Sequence, residues 1–237
     1  MPPARRLSII IPALNEERCL GETLESLASM RTEGHECLVV DGGSSDATRE
    51  IAEPLCDRVL ITSPGRARQM NAGAAAASGD ILVFLHADTQ LPLGATKAII
   101  AAMEPEQARG WGRFDIRLTG AHPLLRMVEA LISLRSRLNG IATGDQAIFV
   151  RRQLFEEVGG FREIPLMEDV ALARALLQHG RPHCLRQQVR SSSRRWEDKG
   201  IWRTIFLMWR LRWAYAHGAD PHDLAKLYDP PNRCPSP

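Results

Sequence analysis

Four short runs, "LSIIIPA", "CLVVD", "RVLIT" and "ILVFL", are apolar almost without interruption, and each is followed by polar residues. Helical patterns separate them: 17–30, 48–54 and 66–77. Strand and helix in alternation make a parallel sheet, and strands covered by helices on both faces read as continuous apolar runs rather than alternating ones. Open sheets of this kind bind ligands at the carboxyl ends of their strands. The residues that close each run are therefore the first candidates for function: Asn15-Glu16-Glu17 after the first, Asp41 to Asp46 after the second, Arg66 and Arg68 after the third, and His86 and Asp88 after the fourth.

The second half is less regular. "WGRFDIRL" and "QAIFV" read as strands, 122–138 as an amphipathic helix, and 169–179 as a helix opened by Glu168-Asp169. The end, "DPPNRCPSP", reads as frayed.

A chain of 237 residues buries a full core without staples. The five cysteines (19, 37, 56, 184 and 234) form no C-x-x-C pair, which argues against a zinc site or a disulfide framework and for a reducing, cytoplasmic setting. "MPPARRLSIII" reads as neither a signal peptide nor a membrane span. A net charge of +2 hides a basic stretch: 181–212 holds nine Arg or Lys against two acids.

Each strand-end motif has a structural and a functional reading. Asn15-Glu16-Glu17 reads first as an N-cap with two acids on the helix dipole. "VVDGGSSDAT" serves as a turn or as the rim of a pocket in which Asp41 accepts from a base or a sugar hydroxyl. Arg66 and Arg68 suit a diphosphate. His86 and Asp88, two apart at a strand end, point the same way; Asp88 with substrate phosphates would suit Mg2+ or Mn2+, and the alternative is a packed histidine beside a solvated aspartate. Glu168 and Asp169 are dipole partners or, if their loop reaches the sheet edge, hold a general base.

In this order the motifs resemble those of family 2 glycosyltransferases with the GT-A fold: "SIIIPALNEE", "LVVDGGSSDAT", "MNAG", "HAD" where the family has D-x-D, "GDQAIFVRRQLFEEVGGF" and "MEDVAL". Within the family they most resemble the radical-SAM/selenodomain-associated transferases. The resemblance implies an α/β fold with a mostly parallel central sheet flanked by helices. It implies a nucleotide pocket lined by Pro12, Ala13, Glu16, Asp41 and Asp46, with Arg68 and Asn71 beside it. His86 stands at the first Asp of D-x-D, Asp88 would ligate the divalent metal, and Asp169, next to Glu168, would be the base of a single inverting displacement. The donor would be a UDP- or GDP-linked sugar. Gly144 and Asp145 are expected at the edge of the acceptor site. The His86 departure raises a rival: a non-catalytic nucleotide-sugar binding or scaffolding protein. A second departure is Ser192, where processive members of the family carry the Gln of Q-x-x-R-W.

The chain then divides into a transferase domain, 1–195, and a C-terminal helical tail, 196–237. The tail holds four of the five tryptophans. It is too charged and too short to span a bilayer, and reads either as an interfacial helix on anionic lipid, serving a lipid-linked acceptor at the inner membrane face, or as a helix packed on the core with its arginines snorkelling. Its apolar density argues against nucleic acid as its partner. A Rossmann dehydrogenase and a nucleotidyltransferase are set aside because "PALNEE" lacks the Gly-rich loop each needs after the first strand.

Overall fold

The computed structural model describes residues 5–104 and 109–228; the Pro-rich end and Cys234 lie outside the described residues. The four apolar runs form β1 (Leu7–Ala13), β2 (Glu36–Asp41), β3 (Arg58–Ile61) and β4 (Ile81–Phe84). They pair in parallel in the order β3-β2-β1-β4. The pleat explains the long apolar runs of β1, β2 and β4, whereas β3 at the sheet edge is only partly covered. Ile9, Ile11, Cys37, Val39, Ile81 and Val83 enter one core cluster, whereas their alternates Ile10, Leu38, Val40, Leu82 and Phe84 enter a second, on the opposite face.

Helices α1 (Leu20–Ser26), α2 (Ala28–Thr32), α3 (Thr48–Ala52) and α4 (Arg66–Ala76) connect these strands. The helical pattern over 17–30 begins as a helix only at Leu20 because the chain first makes a turn: Asn15 sits at a φ of 55°, and the Cys19 and Leu20 amides donate to the Glu16 carbonyl; it then divides at Leu27 into two short helices. Helix α4 lies close on the sheet because Gly73 faces it. A Cβ there would lie 2.4 Å from Ile10 Cγ2 and 3.0 Å from Val40 Cγ2.

The sheet continues through β5 (Thr89–Gln90), β6 (Trp111–Leu118), β7 (Ile148–Arg151) and β8 (His183–Ser191), giving the full order β3-β2-β1-β4-β7-β6-β8-β5. β7 runs antiparallel to β4 and β6, β6 and β8 are parallel, and β5 is antiparallel to β8. Helices α5 (Ala95–Ala102), α6 (Pro123–Asn139), α7 (Arg152–Glu157) and α8 (Glu168–Leu177) complete the cover.

The C-terminal residues form α9 (Arg194–Lys199), α10 (Ile201–Ala216) and α11 (Pro221–Tyr228). α9 runs across 195/196, where the sequence suggested a division. A third apolar cluster joins Leu211 of α10 and Leu224 of α11 to Leu166, Met167 and Val170, the residues around the start of α8. Among the described residues, no helix is long and apolar enough to cross a membrane.

Candidate active site

The carboxyl ends of β1 and β2 build one wall of the site. Asp41, fully buried, accepts from the Gly43 amide at 3.0 Å and from the amide and hydroxyl of Ser44. Ala13 offers its carbonyl to the Gly42 amide and to Gln69 Nε2, which also donates to the Val40 carbonyl at 2.7 Å. Gln69 thus holds the ends of β1 and β2 together beside the buried Pro12 and Ala13. Only its place in α4 gives it this reach.

Asn15 does not cap its own helix. Its side chain accepts from the Ser45 amide at 2.9 Å, and its amide donates to Ser44 Oγ. Asp46 accepts from the Thr48 and Glu17 amides. The two strand-end loops are laced to each other, which holds Glu16 at the rim.

Around the end of β4 four acids, Glu16, Asp88, Glu168 and Asp169, gather about Arg66, with Arg194 at their edge. The Arg66 guanidinium pairs with the buried Glu168 at 3.3 Å, and its charge is also felt by Glu16, His86 and Asp88. Arg68, two residues on, turns away to pair with Glu163 at 3.1 Å and Ser63 Oγ at 2.7 Å. Asn71 uses both ends of its amide on the Phe161 backbone, at 2.8 and 2.9 Å, and so ties α4 to the loop before α8. Neither joins the acidic group, whereas Arg66 is at its centre.

Burial sets the protonation states here. It pushes Asp88 above the ordinary carboxylate range, with Arg194 and Arg66 drawing it back. Glu16 is raised to about 7, by burial first and then by the Asp88 charge, partly offset by Arg194 at 3.9 Å and by Arg66. Glu168 is raised by burial and by Asp169, against the pull of Arg66. Burial and Arg66 lower His86 to about 3. The histidine that stands at the first Asp of D-x-D is therefore neutral at physiological pH, and the site carries one negative charge fewer than a D-x-D site would.

Asp169 is held from the opposite side. Its Oδ2 accepts from the Gly144 amide at 2.9 Å and its Oδ1 from the Val170 amide at 2.7 Å. Gly144 opens a single 3-10 turn, Gly144–Gln146, fixed by reciprocal bonds between Thr143 and Gln146. A Cβ on Gly144 would lie 2.4 Å from His86 Nε2. The His86 ring thus packs on the backbone that positions Asp169. Met167, just before the acidic pair, adopts a φ of 68° and is buried against α10 and α11.

The C-terminal helices complete the site. Arg195 stacks 3.6 Å above the Tyr228 ring and donates to its carbonyl. The Tyr228 hydroxyl is raised by burial, with Arg195 and Arg66 opposing and Asp169 and Glu168 adding. Arg135, lowered to about 10 by burial and by Arg212 of α10, lies within the field of Asp145 and Asp169. A cavity of about 210 Å3 opens beside Asp88, lined also by Arg18, Glu22, Arg190, Ser192 and Arg194. Tyr228 and Arg135 carry no motif; only the folding back of α11 and the packing of α6 bring them in.

The model of a known family, glycosyl transferase family 2, matches residues 8–157. The chain belongs to glycosyltransferase family 2. It is 35% identical over 173 residues to a PGL/p-HBAD biosynthesis glycosyltransferase of Mycobacterium tuberculosis, covering 67% of this chain and 64% of that protein. It is 38% identical over 115 residues to a 4,4'-diaponeurosporenoate glycosyltransferase of Staphylococcus haemolyticus, covering 44% of this chain and 30% of that one. The chain therefore spans less than two thirds of the length of these relatives. Among solved structures it resembles the mannosyltransferase PcManGT of Pyrobaculum calidifontis in complex with GDP-Man and Mn2+, with a TM-score of 0.65 and 21% identity over 89% of this chain and 61% of that one. It also resembles S. aureus TarS 1–349 in complex with UDP-GlcNAc, with a TM-score of 0.65 and 18% identity over 79% and 58% of the two chains. At these identities the likeness shows the fold, and this family 2 chain has the GT-A architecture.

Proposed function

We propose that the protein transfers a sugar from a UDP- or GDP-linked donor to a hydroxyl acceptor with inversion at the anomeric carbon. The observation that carries this reading is the placement of two carboxylates about Arg66: Asp88 at the end of β4, and Asp169 fixed by the Gly144 amide. The donors named for TarS and PcManGT agree with it.

The nucleoside would lie against the loops that leave β1 and β2, whose shape the buried Asp41 and the Pro12–Ala13 end of β1 fix, and the diphosphate would run toward Asp88, Arg66 and Arg194. Among the described residues, no cluster of three or more His, Cys, Asp or Glu could hold a metal. Asp88 nevertheless suits a Mn2+ or Mg2+ completed by the donor's phosphates, because its half-buried carboxylate accepts a long 3.3 Å bond from Thr89 Oγ1 and a cation would favour its ionised form. Such a cation would neutralise charge on the departing diphosphate.

The chain's own groups account for the rest. The acceptor oxygen attacks the anomeric carbon as the bond to the diphosphate oxygen breaks. Its proton passes to Asp169, whose lone pairs are only partly used by the Gly144 and Val170 amides. Arg66 stabilises the negative charge that develops on the leaving oxygen. Glu168 holds Arg66 in place.

Asp169→Asn is expected to lower turnover by about 10²–10⁴-fold, the usual contribution of a general base, while donor binding stays intact. Calorimetric titration of UDP and GDP, with and without Mn2+, provides the binding half; Asp88→Ala should lose the metal-dependent part. If Asp169→Asn loses donor binding, the base assignment fails. Nucleotide binding without turnover across an acceptor screen would favour the non-catalytic reading that His86 raises.

A further inference from the structure

Two neighbouring helices leave large apolar side chains in water in the same pattern. On α10 these are Trp202, Phe206, Trp209 and Trp213, each 54–65% exposed, and on α6 they are Met127, Leu131, Leu134 and Leu138. In both, the spacing is i, i+4, i+7, i+11, which places four side chains in one narrow stripe along the helix axis. Each stripe faces away from that helix's buried side, formed by Leu125, Val128 and Ile132 of α6 and by Thr204 and Leu211 of α10, with the buried Ile205 on the flank of the α10 stripe. Ile205 shares a core cluster with the buried face of α6. The stripes therefore lie on the outer side of two helices packed on one body.

Within these two helices the exposed charges have one sign. α10 carries Arg203, Arg210 and Arg212 and no acid, and Arg203 and Arg210 are exposed. The acid of α6, Glu129, is buried and engaged by Arg117 and Arg126. Tryptophans in a line with arginines on the flank suit the boundary between lipid headgroups and acyl chains, where an aromatic body is buried and a cation meets phosphate. The stripe on α10 extends about 16 Å, a ridge rather than a groove.

We infer that the α6–α10 face docks the protein on an anionic lipid surface. On the transferase reading above, on which this step rests, docking brings the site to a lipid-linked hydroxyl: α6 leads through 140–143 into the turn that holds Asp169, and α10–α11 packs on Met167 and Val170. The docking itself requires no turnover.

The test is flotation of the full chain with phosphatidylcholine vesicles, with and without phosphatidylglycerol. Wild type should float with the anionic vesicles. Trp209→Ser with Trp213→Ser, and separately Leu131→Ser with Leu134→Ser, should each weaken binding by about tenfold or more per side chain removed. Arg203→Gln and Arg210→Gln should each cost about fivefold, and only on anionic vesicles. Ile61→Ser and Leu93→Ser, exposed elsewhere, should change nothing. UDP or GDP binding in the same variants reports whether each is folded, so a failed docking inference is distinguishable from a failed donor site. The inference is overturned if wild type ignores anionic vesicles, or if folded stripe variants float as wild type does. It is also overturned if the stripes instead hold two copies of the chain together, seen as a dimer in sedimentation that the stripe variants convert to monomer without any vesicle binding.

Discussion

Replacing Glu16 by glutamine keeps the shape of the side chain and removes a charge that the fold holds at a cost. The carboxyl is raised from 4.5 to about 7, because burial and the Asp88 charge outweigh Arg194 and Arg66. A carboxyl raised on folding stabilises the protein when protonated; that contribution is complete below about 4.5 and is lost as pH rises through about 7. At about pH 8 the ionised side chain then costs about 3 kcal/mol, from roughly 1.4 kcal/mol per pKa unit, and at about pH 5 it costs only about 1 kcal/mol. Glu16→Gln should therefore be the more stable protein near pH 8 by about 3 kcal/mol, with most of the advantage gone near pH 5. Urea unfolding at the two pH values, followed by tryptophan fluorescence, measures both numbers. A variant no more stable than wild type near pH 8, or one with the same advantage at both values, would refute the reasoning. Weaker donor binding in the more stable variant would place the carboxylate among groups kept for function.

Gly144→Ala should leave the fold largely intact yet lower turnover at least tenfold, because the new Cβ meets His86 and displaces the amide that holds Asp169; His86→Ala in the same chain should restore part of the rate, read as kcat with donor KM near wild type. Gly73→Ala should destabilise by about 1–3 kcal/mol through overpacking against Ile10 and Val40, measured as a lower urea midpoint with an unchanged slope. Arg66→Ala leaves Glu168 buried beside Asp169 without its cation; it should lose about 1–3 kcal/mol of stability and most nucleotide affinity, whereas Arg68→Ala, whose side chain pairs with Glu163 at the surface, should change stability by less than about 1 kcal/mol.

Most of the parallel half of this fold was legible in the sequence because both faces of β1, β2 and β4 are buried, a setting in which polar positions seldom blur the run. β8 was not legible. "HCLRQQVRS" runs from three partly covered residues through three exposed ones to buried Val189 and Ser191, and only its pairing with β6 and β5 makes it a strand. The residues that close each strand were equally visible, since an apolar run ending in Asp41, or in His86 and Asp88, marks a strand tip by local chemistry alone.

Direction is a different matter. Nothing local to "GRAR" tells which arginine faces the site; the start of α4 turns Arg66 toward Glu168, about one hundred residues away in the chain, and Arg68 toward Glu163. Asn15 read as a cap and instead binds the neighbouring loop at Ser45, a partner that exists only once β1 and β2 are side by side. The neutral state of His86, the nearness of Tyr228 to the acids and the outward stripes of α6 and α10 likewise depend on burial and on contacts between distant segments. The alternation of strands and helices, the apolar pattern and the strand-tip chemistry follow from neighbours along the chain, so the sequence alone determines them. Side-chain direction, protonation and the exposed face follow from neighbours in space, and only the tertiary structure decides those.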